Sequence, residues 1–222
     1  MIKDFQLYGE RCSGTNYFHG VFQTLTKLPG KETYIKKYGW KHFFFAQEYM
    51  DTIKQEGDEV LFIGLVRDPY DWLNSMFNKQ YHLPENNRKD MRSFLLNQYW
   101  STHRVQLNDK PETEIMEDRN LNGERFKNIF EARKFKCEYL LHELPKIAKN
   151  SHFVNYTNWL RNTKEETQKI CQRFNLEFYP NSTLPRQRDT TCRNMLPEIK
   201  KIIDTHLNWD LENAMGFFKR ED

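Results

Sequence analysis

A glycine-bracketed turn near the start of the chain has the residue types and spacing that bind a phosphate-like group. Gly9 and Gly14 flank this turn in the segment DFQLYGERCSGTNYF, residues 4–18. The residues before the turn suit a short strand, and the run TNYFHGVFQTL after it has the apolar spacing of an amphipathic helix. A strand-to-helix turn of this kind directs several backbone N–H groups, and the positive end of the helix dipole, at one place. The sequence therefore predicts an anion site here, although the same turn is also ordinary architecture in α/β proteins.

The turn differs from the nucleotide-binding loop G-x-x-x-x-G-K-[ST] at the two positions that serve ATP and magnesium. Thr15 occupies the lysine position, and Asn16 follows it. The loop thus lacks both the lysine that grips the phosphates and the residue pair that holds the metal. We expect it to bind a phosphate-like group without ATP-and-magnesium chemistry, and we expect no metal site.

A second strand-to-helix junction follows in the middle of the chain. EVLFIGLVR, residues 59–67, is a nearly unbroken apolar run, as expected for a central parallel strand that is buried on both faces. After it, Asp68 can cap a helix and Pro69 can occupy the first helical turn. SHFVNY, residues 151–156, predicts another short strand. Strands that alternate with helices indicate an α/β fold with a central parallel sheet, flanking helices and a ligand site beyond the carboxyl ends of the strands.

The segment between the two junctions predicts one extended stretch and one helix. Residues 33–46, TYIKKYGWKHFFFA, have an extended pattern with a dense group of aromatic residues, which suits either the core or the wall of a pocket. Residues 47–56 predict a helix that Gly57 closes.

Helices dominate the second half of the prediction. Residues 123–148 predict a long helix, on which we interpret Arg133, Lys134 and Lys136 as a solvated face. Residues 195–218 predict a closing helix with apolar residues at helical spacing.

Length and composition favour one soluble domain over the full 222 residues. The net charge is only +3, which gives no support to a nucleic-acid-binding protein. The polar N-terminus leaves no room for a signal peptide, and no apolar run approaches the length of a membrane span. The four cysteines are scattered without zinc-ligand spacing, so we interpret them as reduced thiols in a cytoplasmic protein.

Two of these segments together resemble the sulfotransferases that use 3′-phosphoadenosine 5′-phosphosulfate (PAPS). CSGTNY, residues 12–17, looks like the loop that binds the 5′-phosphosulfate in that family. LVRDPYDWLNS looks like the family's second motif, in which an arginine at a strand end and a serine eight residues later hold the 3′-phosphate; here they are Arg67 and Ser75. VNYTNWL, residues 154–160, resembles the segment whose tyrosine lies near the adenine, and NWDLENAMGF resembles the closing helix. The resemblance implies a three-layer, P-loop NTPase-like sulfotransferase fold, and leaves residues 76–150 as a helical insertion that binds the acceptor.

The resemblance also implies a set of site residues. Cys12 stands where many family members have a lysine that stabilises the leaving group, so Arg11 or Lys41 would supply that charge. His42 is the candidate base, since an unperturbed histidine titrates near neutrality and family members place a comparable histidine on a strand between the two motifs. Glu48 or Glu10 remain alternative bases. The donor-binding residues would be Arg11, Cys12, Ser13, Gly14, Thr15, Asn16, Tyr17, Arg67, Ser75, Tyr156, Arg186 and Arg188.

The implied function is transfer of a sulfuryl group from PAPS to a hydroxyl or amine of a small-molecule or glycan acceptor, without a metal. Such transfer depends on positioning and on stabilising charge at the leaving phosphate. Two other classes stay open: a nucleotide-binding module that lacks catalysis, and a P-loop kinase, against which the G-T-N sequence argues.

Overall fold

The computed structural model describes residues 1–30, 36–103, 113–187, 191–192 and 194–221. The described residues form two compact units. The sheet unit comprises Met1–Asp68 and Glu138–Asp189, and the helical unit comprises Pro69–Cys137 and Thr190–Asp222. The predicted insertion, residues 76–150, falls mainly in the helical unit, which also includes the C-terminal helices.

The described ranges contain three parallel strands and ten α-helices, together with short 3-10 and π-helical turns. The strands are β1 (Asp4–Gly9), β2 (Val60–Val66) and β3 (Ser151–Asn155). The helices are α1 (Thr15–Thr26), α2 (Gln47–Glu56), α3 (Pro69–Asn78), α4 (Met91–Leu96), α5 (Ile129–Glu138), α6 (Leu144–Ile147), α7 (Tyr156–Arg161), α8 (Thr163–Phe174), α9 (Pro197–His206) and α10 (Trp209–Ala214).

The sheet has the order β1-β2-β3, and both strand pairs are parallel. Every residue of β2 is buried, which confirms its predicted central position. In register, Leu7 of β1 pairs with Ile63 of β2, and Ile63 pairs with His152 of β3. The carboxyl ends of β1 and β2 therefore lie side by side, so the two predicted junctions meet at one edge of the sheet.

Both faces of the sheet are covered within the sheet unit, and residues alternate between the faces as the strand period requires. On one face, Leu7 and Ile63 belong to a core with Phe18 of α1, Trp159 of α7 and Ile170 of α8. On the other face, Tyr8 contacts the ring of Phe44, and Phe62 contacts that of Tyr38. The structure is thus a mixed α/β fold with a small parallel sheet and flanking helices. No helix in the described ranges combines the length and apolar character needed to cross a bilayer.

The segment before α2 forms turns, and the extended stretch predicted there is wrong for its described residues. Lys36–Tyr38 forms a 3-10 turn, and a tight turn follows in which the Phe43 N–H donates to the Trp40 carbonyl at 2.8 Å. Gly39 precedes this turn with φ +83°, and the rings of Trp40 and Phe43 pack 4.9 Å apart. The aromatic residues therefore pack locally around a turn and do not alternate along a strand, while residues 33–35 lie outside the described residues. The helix at α2 and its closing Gly57 are confirmed.

The long helix predicted over residues 123–148 is shorter and interrupted. It begins at Ile129, one residue after Asn128, whose side chain accepts from the Glu131 N–H at 3.0 Å. A π-helical turn, Tyr139–Glu143, separates α5 from α6. Pro145 explains the interruption, because proline has no N–H to donate to the preceding turn.

The solvated face predicted on α5 is wrong for two of its three residues. Arg133 is fully buried and donates to both carboxylate oxygens of Glu212, at 2.6 and 2.8 Å. Lys136 is buried and paired with Asp118. Only Lys134 of the three is exposed. Sequence spacing could not reveal these pairs, since each partner carboxylate comes from a distant part of the chain.

The predicted closing helix is two helices. α9 ends at His206, and Asn208 caps α10 by accepting a hydrogen bond from the Leu211 N–H at 3.1 Å. An asparagine at this position favours a new helix start because its side chain competes for backbone donors. None of the four cysteines, all of which are described, forms a disulfide.

Candidate functional site

The turn between β1 and α1 has the backbone shape of a ligand cradle. Cys12 and Gly14 both have left-handed backbone, with φ of +62° and +94°. A Cβ on Gly14 would lie 2.3 Å from Cζ of Tyr156, and a Cβ on Gly9 would lie 2.6 Å from the Leu65 carbonyl oxygen. The two glycines are therefore required by close approach, and at Gly14 also by the left-handed conformation.

Hydrogen bonds within the sheet unit fix the turn. The Ser13 N–H and hydroxyl both donate to the Glu10 carbonyl, at 3.2 and 2.6 Å. Arg67, at the end of β2, donates to the Cys12 carbonyl at 3.2 Å. The Ser13 hydroxyl, which we expected to contact a ligand, thus braces the turn in this structure.

The first turn of α1 supplies the donors of this site. Gly14 is the N-cap residue, and among the described residues no side chain caps the helix. The first N–H groups of an α-helix have no partner within the helix, and the helix dipole makes this end positive. In α1 these groups belong to Thr15, Asn16 and Tyr17, which follow the glycine directly.

The turn at residues 40–43 is attached to the end of β1. The Gly9 N–H donates to the Lys41 carbonyl at 2.9 Å, and His42 Nδ1 lies 2.6 Å from the Gly9 carbonyl oxygen. A carbonyl oxygen only accepts hydrogen bonds, so Nδ1 carries the proton and Nε2 is the basic nitrogen of the neutral ring. Lys41 Nζ donates to the Asn16 side chain in the first turn of α1.

Two buried cations, Arg11 and Lys41, lie close together beside the turn, where Glu10 is also buried. The Arg11 guanidinium lies 4.9 Å from the centre of the Trp40 ring and 5.1 Å from that of Phe43. Burial, and secondarily the charge of Arg11, lower the pKa of Lys41 from 10.5 to about 8. An anion bound beside these side chains would offset the repulsion that lowers this pKa.

Tyr156 forms an aromatic wall beside the turn. Its ring lies against Gly14 and stacks on Trp159 with the centroids 5.8 Å apart. Burial raises the pKa of Tyr156 to about 12, although the charge of Arg67 lowers it and Tyr17 raises it further. The phenol therefore remains neutral at physiological pH.

No protein-family model matches this chain, and no curated protein matches it. The likeness between CSGTNY and the sulfotransferase loop thus rests on those residues alone.

Most of the predicted site residues lie in the sheet unit, around the turn. Ser75 is buried on α3 in the helical unit, so its pairing with Arg67 stays a prediction. Arg186 is exposed, and Arg188 lies outside the described residues. Of the alternative bases, Glu10 is buried in the turn and Glu48 is exposed on α2. The residues gathered at the turn are Arg11, Cys12, Ser13, Gly14, Thr15, Asn16, Tyr17, Lys41, His42, Arg67 and Tyr156.

Sequence reasoning missed the two aromatic residues beneath Arg11. Trp40 and Phe43 lie against the guanidinium, and the rings of Trp40 and His42 pack edge-to-face with their centroids 4.7 Å apart. The dense aromatic run GWKHFFF was the available signal, but its composition alone suits a core as well as a pocket.

Proposed function

We propose that this protein is a PAPS-dependent sulfotransferase with a three-layer, P-loop-like sulfotransferase fold. The observation that supports the proposal best is the meeting of the α1 N-terminus with Arg11, Lys41, Arg67 and His42 at the carboxyl edge of β1 and β2. Backbone donors, a helix dipole and buried cations suit a multiply charged phosphate group.

The reaction exchanges one sulfur–oxygen bond for another. The bond between sulfur and the oxygen that bridges to the 5′-phosphate breaks, and a bond to the acceptor oxygen or nitrogen forms. The electron pair of the broken bond stays on the phosphate of the leaving 3′,5′-adenosine bisphosphate. The acceptor's proton passes to the base, which we assign to Nε2 of His42 because Nδ1 already donates to Gly9.

The cation that would stabilise the leaving phosphate does not stand directly before S-G-T, where many family members have a lysine. Cys12 replaces the lysine that precedes S-G-T in many family members, but the Lys41 ammonium reaches Asn16 in the first turn of α1. Arg11 lies close enough to Lys41 to lower its pKa. We assign charge stabilisation to Lys41 and Arg11 together.

The replacement by Cys12 also favours a second candidate, a nucleotide-binding module without catalysis. A P-loop kinase is the third, and it would require magnesium and ATP. Calorimetric titration with 3′,5′-adenosine bisphosphate in the presence of a chelator tests the donor site of the first two candidates together. Turnover of radiolabelled PAPS with an acceptor library then separates them.

Two variants test the division of roles. Arg67→Ala should weaken bisphosphate binding by about a hundredfold, because a charge-assisted contact in a buried site is lost. His42→Ala should leave binding within about threefold of the parent and reduce turnover by about 10²–10⁴-fold, the range for loss of a general base. Equal loss of binding in both variants, or metal-dependent ATP binding in place of bisphosphate binding, would contradict the proposal.

A further inference from the structure

A buried amide in the helical unit has both of its polar atoms without a partner. Asn87 is fully buried, and neither its side-chain oxygen nor its nitrogen makes a hydrogen bond with the described residues. Its backbone is fixed at the end of the 3-10 turn Glu85–Asn87, where the Asn87 N–H donates to the Pro84 carbonyl at 2.9 Å. Buried polar groups in native proteins are nearly always satisfied by protein, water or ligand.

Asn87 borders a cavity of about 510 Å³ that is lined mainly by uncharged polar side chains. Three further amides line it, those of Asn86, Asn97 and Gln98, together with the hydroxyl of Ser93. The Asn97 side chain donates to the Asn86 carbonyl at 3.1 Å, which ties α4 to the 3-10 turn. The side chain of each amide offers both donors and an acceptor.

Trp100 and Arg125 also line the cavity, where the guanidinium and the indole form a stacked wall. Tyr99 and Phe126 form an isolated antiparallel bridge with two hydrogen bonds, at 2.9 and 3.1 Å, and this bridge sets Trp100 opposite Arg125. The guanidinium lies 3.9 Å from the centre of the indole ring. Arg125 also donates to both carboxylate oxygens of Glu114, so its orientation is fixed.

We infer that this amide cleft, lined by Asn86, Asn87, Asn97, Gln98, Trp100 and Arg125, binds an oligosaccharide. Neighbouring sugar hydroxyls each donate and accept, as the amides do, and the stacked wall offers a broad amphipathic surface for a sugar ring. Lys89 and Arg125 are the cations of the cleft, but Arg125 is already paired with Glu114, so Lys89 is the cation that would meet a ligand carboxylate. The Lys89 ammonium favours a saccharide with a carboxylated sugar.

A second cavity of about 550 Å³ shares Gln98 and Arg125 with the first, and the carboxylates of Glu124 and Glu131 line it. We therefore place the carboxylated sugar in the first cavity. This inference is independent of the proposed sulfuryl transfer. Saccharide binding is measured without nucleotide, so a failure to bind saccharide would not count against the donor site.

Two hexasaccharides test the inference on the full chain by calorimetry. A hyaluronan hexasaccharide alternates uronate and N-acetylhexosamine, whereas maltohexaose is neutral. We expect the first to bind more tightly than the second. Asn87→Leu should weaken binding by at least about tenfold while leaving the melting temperature equal or higher, since it removes a buried amide that the protein does not satisfy.

The controls separate a ligand site from a structural role. Asn213→Leu, at an exposed asparagine of α10, should change neither binding nor melting. If Asn87→Leu does not fold, Trp100→Ala provides the test in its place, and it should also weaken saccharide binding. The inference fails if neither hexasaccharide binds at millimolar concentration, if Asn87→Leu binds as the parent does, or if adenosine monophosphate binds in the cleft in preference to both saccharides.

Discussion

Both units bury cations, and they differ in what each cation contacts. In the helical unit, Arg133 and Lys136 each meet a buried carboxylate, Glu212 and Asp118 respectively. In the sheet unit, Arg11 lies over the Trp40 ring, much as Arg133 lies over Trp72, and Lys41 donates to an amide oxygen. The first arrangement pairs opposite charges, whereas in the second the charge of Arg11 lowers the pKa of Lys41.

The pKa of Lys41 shows the consequence of the second arrangement. Burial and the charge of Arg11 lower it to about 8, so the protein alone stabilises the ammonium poorly. Strongly perturbed groups of this kind cluster at functional sites. The lowered pKa of Lys41 therefore supports the proposed anion site at this turn.

The largest expected effect is on stability, in the helical unit. Arg133→Met should lower the free energy of unfolding by about 3–5 kcal/mol, because it leaves the Glu212 carboxylate buried without its partner. Chemical denaturation measures the change. Lys134→Met, at the exposed neighbouring position, should change stability by less than about 0.5 kcal/mol.

A double variant sharpens this test. Replacing both partners, Arg133→Met with Glu212→Leu, should recover much of the loss because no charge remains buried. If the double variant is as unstable as Arg133→Met alone, packing around α5 and not charge pairing accounts for the effect.

Gly14→Ala should have the next largest effect, which is on ligand binding at the turn between β1 and α1. The left-handed backbone alone costs about 1–2 kcal/mol for a residue with a Cβ. The added atom would also displace the Tyr156 ring. We expect at least about tenfold weaker binding of 3′,5′-adenosine bisphosphate, which corresponds to 1.4 kcal/mol.

Gly20→Ala is the matched control for Gly14→Ala. Gly20 lies inside α1, where an added Cβ would lie an ordinary 3.7 Å from Pro185. Alanine should stabilise the helix by up to about 1 kcal/mol and leave binding unchanged. Equal binding by both alanine variants would mean that the turn does not form the ligand site.

The sequence predicted the parts of the fold that depend on local patterns. The apolar run of β2, the glycine-flanked turn and the helix closed by Gly57 each have a signal within a few neighbouring residues. The turn at residues 40–43 was missed because its shape depends on aromatic contacts and on its attachment to Gly9. The pairs of Arg133 and Lys136 were missed because their carboxylates are distant along the chain.

The candidate site divides in the same way. Residues 11–17 could be predicted because a strand, a glycine turn and a helix follow one another directly. That Lys41 supplies charge to this site was an expectation, but its contact with Asn16 was not predicted, since it spans 25 residues and depends on the turn at residues 40–43. Asn87 gave no sequence signal, because a buried amide without a partner looks like any loop asparagine until its surroundings are known.

The smallest predicted effect is a pH dependence that reports directly on Lys41. In the free protein, the lowered pKa means that the folded state holds fewer protons than the unfolded state between pH 8 and 10.5, so stability rises with pH in this range. An anion at the site favours the charged ammonium, so binding takes up a proton once the pH exceeds about 8. Bisphosphate affinity should therefore fall by about tenfold between roughly pH 7 and 9.

Lys41→Arg isolates this effect from every other titrating group. Arginine keeps its charge throughout this range, so the variant should bind with an affinity that hardly changes between about pH 7 and 9. The ligand's phosphate is already largely ionised above about pH 7, so it contributes little to the slope. If the affinity of Lys41→Arg still falls with pH, another group titrates and Lys41 does not belong to the site. If the fall is lost, Lys41 is the group whose protonation favours bisphosphate binding.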